Sequence, residues 1–265
     1  MTWIYVWTSE IKNVYVWTTP VKEVYLWDTK IRPKPMPAWI YHNSTLWLIS
    51  LSSDWQTWIT IADKNLGATA VWNSWDALSQ ANCGKYYQRW NNYGFPFTWS
   101  VTTSSSKVNA QNYWPWNYYS SSTFITASTG GWDSSKNRNL WGETTNTLAA
   151  RQWPCASWYH VPTQLELTSL TTIWVALWWW ANDWTNFGAT LRMPFAWYRY
   201  PSPWGQGNYG FYWSSYINGN WWATNLSLWS STIAPYNYNF SDSGYSIRPF
   251  KNDAVQPDDS RTKLY

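Results

Sequence analysis

Tryptophan stands where this chain should turn, and that limits what it can fold into more than any other feature. The 265 residues include 29 tryptophans and only 12 glycines, whereas glycine alone makes up roughly 7% of an ordinary domain. Tight turns need residues that accept positive φ, a state open to glycine and disfavoured for bulky side chains. Ser53-Asp54-Trp55-Gln56 lies between two strand-like runs, where a two-residue hairpin asks for Asp-Gly. Trp114-Pro115-Trp116, Ser202-Pro203-Trp204 and Asn73-Ser74-Trp75-Asp76 repeat the pattern, with tryptophan in the glycine slot. The pattern points to an alternative genetic code in which UGA specifies glycine, so that many of these tryptophans are glycines in the native polypeptide. A truly tryptophan-rich aromatic platform is the other reading of the same counts.

The remaining composition excludes several functions. Charged residues are 12% of the chain and the formal net charge is +4, too weak and scattered for a nucleic-acid-binding stripe. The most hydrophobic stretch, Ile173 to Trp180, is too short to span a membrane. Met1 leads straight into Thr2-Trp3-Ile4-Tyr5 without a basic or apolar leader. The product is therefore expected to be either cytoplasmic or exported by another route, such as assembly into a virus particle, and a virion or the extracellular or cell surface is the location preferred. His42 and His160 do not form a metal site with spaced Cys or Asp residues. Glycine-rich phosphate loops, Gly-x-Ser-x-Gly and His-Glu-x-x-His are all missing from the sequence. The expectation is a protein without enzymatic activity, cofactor or metal.

Four regions succeed one another. Residues 1–33 hold three ten-residue β repeats: Ile4-Tyr5-Val6-Trp7-Thr8, Val14-Tyr15-Val16-Trp17-Thr18 and Val24-Tyr25-Leu26-Trp27-Asp28, each followed by a polar run. A unit this short cannot bury its own apolar face, so its strands are expected to pair between chains, in a homotrimer for example, or to lie on the main domain. Residues 34–37 read as a stiff proline-rich linker, 38–252 as the main domain and 253–265 as a polar tail. Within the main domain, Trp58 to Ala62 reads as a strand and Asn73 to Ala81 as a short helix. Residues 98 to 150 read as loops carried by a scaffold. Thr163 and Glu166 form a capping box, and Leu167, Leu170, Trp174 and Leu177 give the helix that follows one apolar face. His160, just before that helix, reads as a packed, hydrogen-bonded core residue. Cys83 and Cys155 either pair or stay as two buried thiols.

Binding surface is what the sequence offers in place of catalysis. From Tyr209 to Ser243 the chain is dense in Tyr, Asn, Ser and Trp, the mixture of rigid amphipathic rings and adaptable amides found in paratopes. The candidate ligand-binding residues are Tyr216, Asn218, Asn220, Trp222, Asn225, Ser227, Tyr236, Asn237, Tyr238 and Asn239. Leu226 and Leu228 alternate with Asn225 and Ser227, so a period of two sends the polar pair to the opposite face. Tyr216, Asn218, Asn220, Asn225, Ser227, Tyr236 and Tyr238 are expected to form one contiguous exposed patch.

Several motifs, in order along the chain, resemble a known family. Cys155-Ala156-Ser157-Trp158-Tyr159-His160-Val161-Pro162-Thr163-Gln164-Leu165-Glu166 resembles the Cys-Pro-x-Gly-Trp-His-Val-Pro-Thr-x-x-Glu-Trp signature of the Fibrobacter succinogenes major paralogous (FISUMP) domain. Trp158 stands at that family's glycine. Pro194-Phe195-Ala196-Trp197-Tyr198-Arg199 resembles its Pro-x-Ala-Gly-Tyr-Arg, again with tryptophan for glycine. Gly210-Phe211-Tyr212-Trp213-Ser214-Ser215 and Gly244-Tyr245-Ser246-Ile247-Arg248 resemble its two closing motifs, and Trp58 with Lys64 to Thr69 its early segment. By this resemblance Trp58, Trp132, Trp141 and Trp213 are genuine, and Trp158 and Trp197 are glycines.

The resemblance implies an α+β, C-type-lectin-like domain of secreted or surface-displayed proteins, here behind an N-terminal β-repeat segment. The same fold serves the variable proteins of diversity-generating retroelements and phage receptor-binding proteins. Pro249 follows Arg248 where the family commonly has cysteine, which leaves Cys83 as the only partner for Cys155. No Glu-Pro-Asn or Trp-Asn-Asp calcium motif is present. The reading is a non-enzymatic binding protein, such as a phage tail-fibre tip or a retroelement-diversified variable protein. Its partner would be a protein or glycan on a target surface, with no nucleic acid and no membrane insertion. A structural surface or virion protein is the first alternative. A relative of the formylglycine-generating enzymes, which share the fold and use a reactive cysteine pair, is the second.

Overall fold

The computed structural model describes residues 15–16, 19–20, 24–26, 29–31, 39–43, 48–52, 59–97, 100–109, 119–126, 131–134, 141, 154–177, 184–200, 203–204, 207–218, 222–229 and 232–252. It is a mixed α+β fold, built around two sheets and one main helix. β5 (Trp39–Asn43), β6 (Leu48–Ser52) and β7 (Ile59–Ala62) make an antiparallel meander. Ile49, Leu51 and Ile61 from this meander are fully buried. The far end of the chain joins the same sheet. β18 (Phe250–Lys251) lies between β7 and β11 (Tyr159–His160), giving the order β11-β18-β7-β6-β5. Backbone bonds from Ala62 to Pro249 and from Leu66 to Ile247, both 2.9 Å, extend this closure.

The main helix, α2 (Gln164–Leu177), follows the short α1 (Gln80–Cys83) in the chain and begins as the capping box requires. Thr163 Oγ1 accepts from the Glu166 backbone N–H at 3.1 Å, and the Glu166 carboxylate accepts from the Thr163 N–H at 2.7 Å. Leu167, Leu170, Ile173 and Trp174 form its buried face; the Leu177 side chain lies outside the described residues. That face packs on the three-stranded sheet of β14 (Tyr209–Asn218), β15 (Trp222–Trp229) and β16 (Thr232–Phe240), through Tyr212, Leu226 and Leu228. The opposite face of the same sheet carries Phe211, Trp213 and Ala223 into a second core with Trp132, Trp141, Tyr245 and Ile247. The sheet therefore divides two cores, and its middle strand is covered on both sides.

The segment around these cores is mostly loop, and buried polar side chains hold it. Gln88 Nε2 donates to the carbonyls of Ile125 and Asp242, both at 2.8 Å, and its oxygen accepts from the Ile125 N–H. Arg89 donates to the carbonyls of Ser214 and Ser215, Arg199 to Pro96, and Arg248 to Ala62 and Arg192. Gln88 and Arg199 also supply β8 (Tyr87–Gln88) and β12 (Tyr198–Arg199) of a four-stranded sheet with β13 (Pro203–Trp204) and β17 (Gly244–Tyr245).

Two expectations need correction. Asn73 to Ala81 is not one helix. Asp76 closes a turn on Asn73, taking its backbone and side-chain N–H groups at 2.8 and 3.0 Å, and the helix starts only at Gln80. A side chain that bonds the local backbone in this way competes with helix formation. In the repeats, β1 (Tyr15–Val16) pairs with β2 (Thr19–Pro20), and β3 (Val24–Leu26) with β4 (Thr29–Ile31). Each described repeat is thus a two-stranded hairpin where one β run per unit was expected, because one unit contains two strand runs. The register leaves Trp17-Thr18 and Trp27-Asp28 between the paired strands; these, the first repeat, the linker and the tail lie outside the described residues.

Three of the four non-glycine residues with positive φ among the described residues are tryptophans: Trp90 (71°), Trp158 (70°) and Trp197 (59°). The fourth, Arg192 (54°), ends α3 (Trp184–Thr190), where the Met193 N–H returns to the Gly188 carbonyl as helix C-termini commonly do. Trp90 and Trp158 each occupy the third position of a turn, closed by Asn91 N to Gln88 O at 2.9 Å and by Tyr159 N to Ala156 O at 3.1 Å. Positive φ at that position is the type II requirement for glycine. Trp75, though 82% exposed in its turn, is not left-handed. Trp7, Trp55 and Trp116 lie outside the described residues, and Trp204 sits in β13.

The buried indoles also divide. Trp132 donates to the Arg89 carbonyl and Trp213 to the Tyr87 carbonyl, both at 2.7 Å, and Trp141 to Asn92 Oδ1 at 3.2 Å. Trp90 is buried with its indole N–H unsatisfied, which costs about 1–3 kcal/mol. Trp158 is 68% exposed, so shortening it sacrifices little burial. Trp158→Gly is expected to raise stability by about 1 kcal/mol, because the left-handed state penalises any side chain. Urea titration of the two proteins measures this, and Ser157→Gly, one residue earlier, should not stabilise.

Candidate binding site

The structure splits the residues expected to form one patch. Tyr216, Trp222, Tyr236 and Tyr238 are exposed, at 43%, 44%, 51% and 41%. Trp222 pairs across the sheet with Phe240, and Tyr238 with Thr224, whose hydroxyl donates to the Tyr216 carbonyl at 3.0 Å. These side chains thus rise from neighbouring positions on the three strands. Asn237 and Asn239, alternating with the tyrosines, are half-buried. Asn218 is placed only by its backbone in β14, and Asn220 lies outside the described residues.

Asn225 and Ser227 are the correction: both are fully buried. The period of two does send them to the face opposite Leu226 and Leu228, as expected. That face is the second core, so the pair meets protein instead of water. Ser227 Oγ donates to Asn225 Oδ1 at 2.6 Å, Asn237 Nδ2 donates to Ser227 Oγ at 2.9 Å, and Asn225 Nδ2 donates to the Asn237 carbonyl at 3.3 Å. The three side chains satisfy one another across β15 and β16. They form a rigid floor, not a contact surface.

On that side of the sheet, beyond the buried triad, lies a cleft of about 580 Å³, within the usual range for small-molecule sites. Tyr209, Phe211 and Trp229 line it from the sheet, Trp197, Tyr198 and Tyr200 from the β12 segment, and Asn237, Tyr238, Asn239, Asp242 and Ser243 from β16 and the turn after it. The rings of Trp197 and Tyr209 are 4.7 Å apart, and Tyr209 lies 6.4 Å from Trp229. Of these residues only Asn237, Tyr238 and Asn239 were legible as candidates. The usable signal for the rest was Asp242, the single acid between Tyr209 and Ser243.

Asp242 gives the cleft its charge. It is only 4% exposed, and burial pushes its carboxyl up to about 6, against weaker stabilisation from the Tyr200 hydroxyl and Lys107. Its backbone carbonyl is fixed by Gln88. Among the described residues, no Lys or Arg lines the cleft.

The other titratable groups are structural. His160 is buried with Nδ1 2.9 Å from Asn252 Oδ1 and Nε2 3.0 Å from Glu166 Oε1, so one carboxylate serves both the cap and the imidazole. Cys83 and Cys155 are separate buried thiols, and the disulfide alternative is not formed. Cys155 packs in the Trp132–Trp141 core, whereas Cys83 ends α1. Burial raises both thiols, Cys83 to about 12, which suppresses the thiolate that nucleophilic chemistry needs. No cluster of potential metal ligands exists among the described residues. Compared with known proteins, the chain matches no family model, no curated sequence and no solved structure.

The Asp242 carboxyl holds its proton more tightly in the folded protein than in the unfolded chain, where it titrates near 3.8. Its favourable contribution is complete below that value and is lost as pH rises through about 6. Asp242→Asn removes the dependence. The stability difference between wild type and D242N, read from urea titrations across this range, should therefore shift in favour of D242N by on the order of 2 kcal/mol as pH rises.

Proposed function

We propose that this chain is a non-enzymatic binding protein, a C-type-lectin-like display domain carried on short β repeats. The observation that carries the reading is the group of exposed rings at Tyr216, Trp222, Tyr236 and Tyr238, carried by a sheet that a buried, internally bonded polar network braces. Large aromatic side chains on a rigid support bind at low entropic cost, and a few such anchors dominate most interfaces. The return of the last strand, β18, to pair with β7 of the opening meander supports the lectin-like assignment. So do the Thr163–Glu166–His160 cluster and the left-handed backbone at Trp158 and Trp197, where the resembling motifs have glycine. On this reading the partner is a protein or glycan on a target surface, and the protein works on a virion or cell surface, as a phage tail-fibre tip or a retroelement-diversified variable protein would. Residues 1–33 then serve as stalk or trimerisation segment.

The test separates contact residues from floor. The labelled full chain is scored for saturable adsorption to a panel of bacterial cells and glycan arrays. Tyr216→Ala with Tyr236→Ala should lower capture at least tenfold while leaving the melting temperature within a few degrees. Asn225→Ala should instead cost about 1–3 kcal/mol of stability, because it breaks a buried network. A large stability loss from the tyrosine pair, or adsorption unchanged by it, would hand the case to a purely structural surface protein.

We also propose that Trp90, Trp158 and Trp197 are glycines in the native polypeptide, read through a code in which UGA means glycine. The coding DNA decides this. UGA is expected at codons 90, 158 and 197, and UGG at codons 132, 141 and 213, where the indoles are hydrogen-bonded. UGG at all six would remove the proposal.

A further inference from the structure

The cleft beside β12 has a composition that the binding-protein reading does not by itself explain. Seven of its eleven lining residues are aromatic, one is a carboxylate and none is basic. Ring faces carry negative electrostatic potential and attract cations placed within about 6 Å, most strongly when water is excluded. A buried carboxylate beside them adds to the same field. Among the described residues, the titratable groups that act on Asp242 are Tyr200, Lys107 and Tyr245. Lys107 is not among the residues that line the cleft. A neutral saccharide could use the rings and the amides of Asn237 and Asn239, but it gives no reason to keep an acid in a nearly dry site, where an amide would serve as well. An anion would meet repulsion from both the rings and the carboxylate.

We propose that this cleft binds a small organic cation, a quaternary or methylated ammonium group, with the Asp242 carboxylate as its counter-charge and the rings of Tyr209, Trp229 and Tyr198 as its walls. This rests on the reading of the chain as a binding protein and names the ligand chemistry of one of its sites. Tyr200 lines the cleft beside Asp242. Trp197 is dispensable: its left-handed backbone marks it as a glycine position, and a glycine there would widen the cleft without touching Asp242. Cation binding and protonation of Asp242 compete, so affinity rises with pH.

Isothermal titration of the full chain with choline chloride and with tetramethylammonium chloride tests the proposal, with 3,3-dimethylbutan-1-ol as the uncharged isostere of choline and glucose as the saccharide control. Both cations should bind saturably, and the isostere at least tenfold more weakly. Choline affinity should rise about tenfold from pH 5 to pH 7, as Asp242 ionises. Asp242→Asn should weaken choline binding tenfold or more, and Trp197→Gly should preserve it. Tyr209→Leu, which removes one wall and keeps the acid, gives a second variant should D242N fold poorly, and it should also weaken binding. Equal affinity for the isostere, binding of choline unaffected by D242N, tighter binding of glucose than of choline, or no heat of binding at millimolar choline would each overturn the proposal. Tyr216→Ala and Tyr236→Ala lie off the cleft and should leave choline binding unchanged. Cell adsorption that persists in wild type without choline binding would sink the cleft alone; loss of both would sink the binding-protein reading with it.

Discussion

Three guanidinium groups buried among backbone carbonyls hold this molecule in shape. Arg89, Arg199 and Arg248 are fully buried, and each donates to backbone carbonyls: those of Ser214 and Ser215, of Pro96, and of Ala62 and Arg192. Burial lowers the Arg248 guanidinium to about 10, yet it stays charged at neutral pH, and Asp63 lies close enough to offset part of the cost. A fold with this much loop leaves many buried peptide groups without ladder partners. A planar side chain with five donors can satisfy two such carbonyls at once. Lysine at these positions would keep the charge but lose the fork.

The same economy operates in the three-stranded sheet. It is covered by α2 on one face and by an aromatic core on the other, so its middle strand tolerates neither an unpaired polar group nor a gap. Asn225, Ser227 and Asn237 answer the first demand by bonding to one another. The exposed aromatic residues are carried at the ends and edges of that sheet, at Tyr216, Trp222, Tyr236 and Tyr238. Exposed rings and buried polar network are thus separated within a single structural unit, and the cleft opens where the sheet meets the β12 segment.

What could be read beforehand was local. The capping box at Thr163 and Glu166, the apolar face of the helix behind it and the strand at Ile59–Ala62 all depend on neighbours a few residues apart. His160 was readable as a core residue because the cap next to it already accounted for the nearby acid. The burial of Asn225 and Ser227 was not readable. Alternation says which residues share a face, but not whether a second core will cover it. The cleft was hidden for a similar reason. Its walls come from Tyr198–Tyr200, Tyr209–Phe211, Trp229 and Asn237–Ser243, segments joined only when the β12 segment folds against the sheet. The internal hairpins of the repeats were missed because a period of ten was read as one strand per unit, when each unit holds two.

The position of β18 has a consequence for how the protein is made. Phe250 sits beside Ile61 in the first sheet, and Arg248 reaches a carbonyl 186 residues earlier in the chain. The meander of β5, β6 and β7 therefore leaves the ribosome long before the strand that completes it. Until residues 248–251 are made, one edge of that sheet is open and the Ala62 carbonyl lacks its guanidinium. Pairings between such distant segments are slow to form, and an unpaired strand edge invites association with other chains. The sheet is thus completed only once β18 has emerged, and the interval before that is when the chain is most exposed to aggregation.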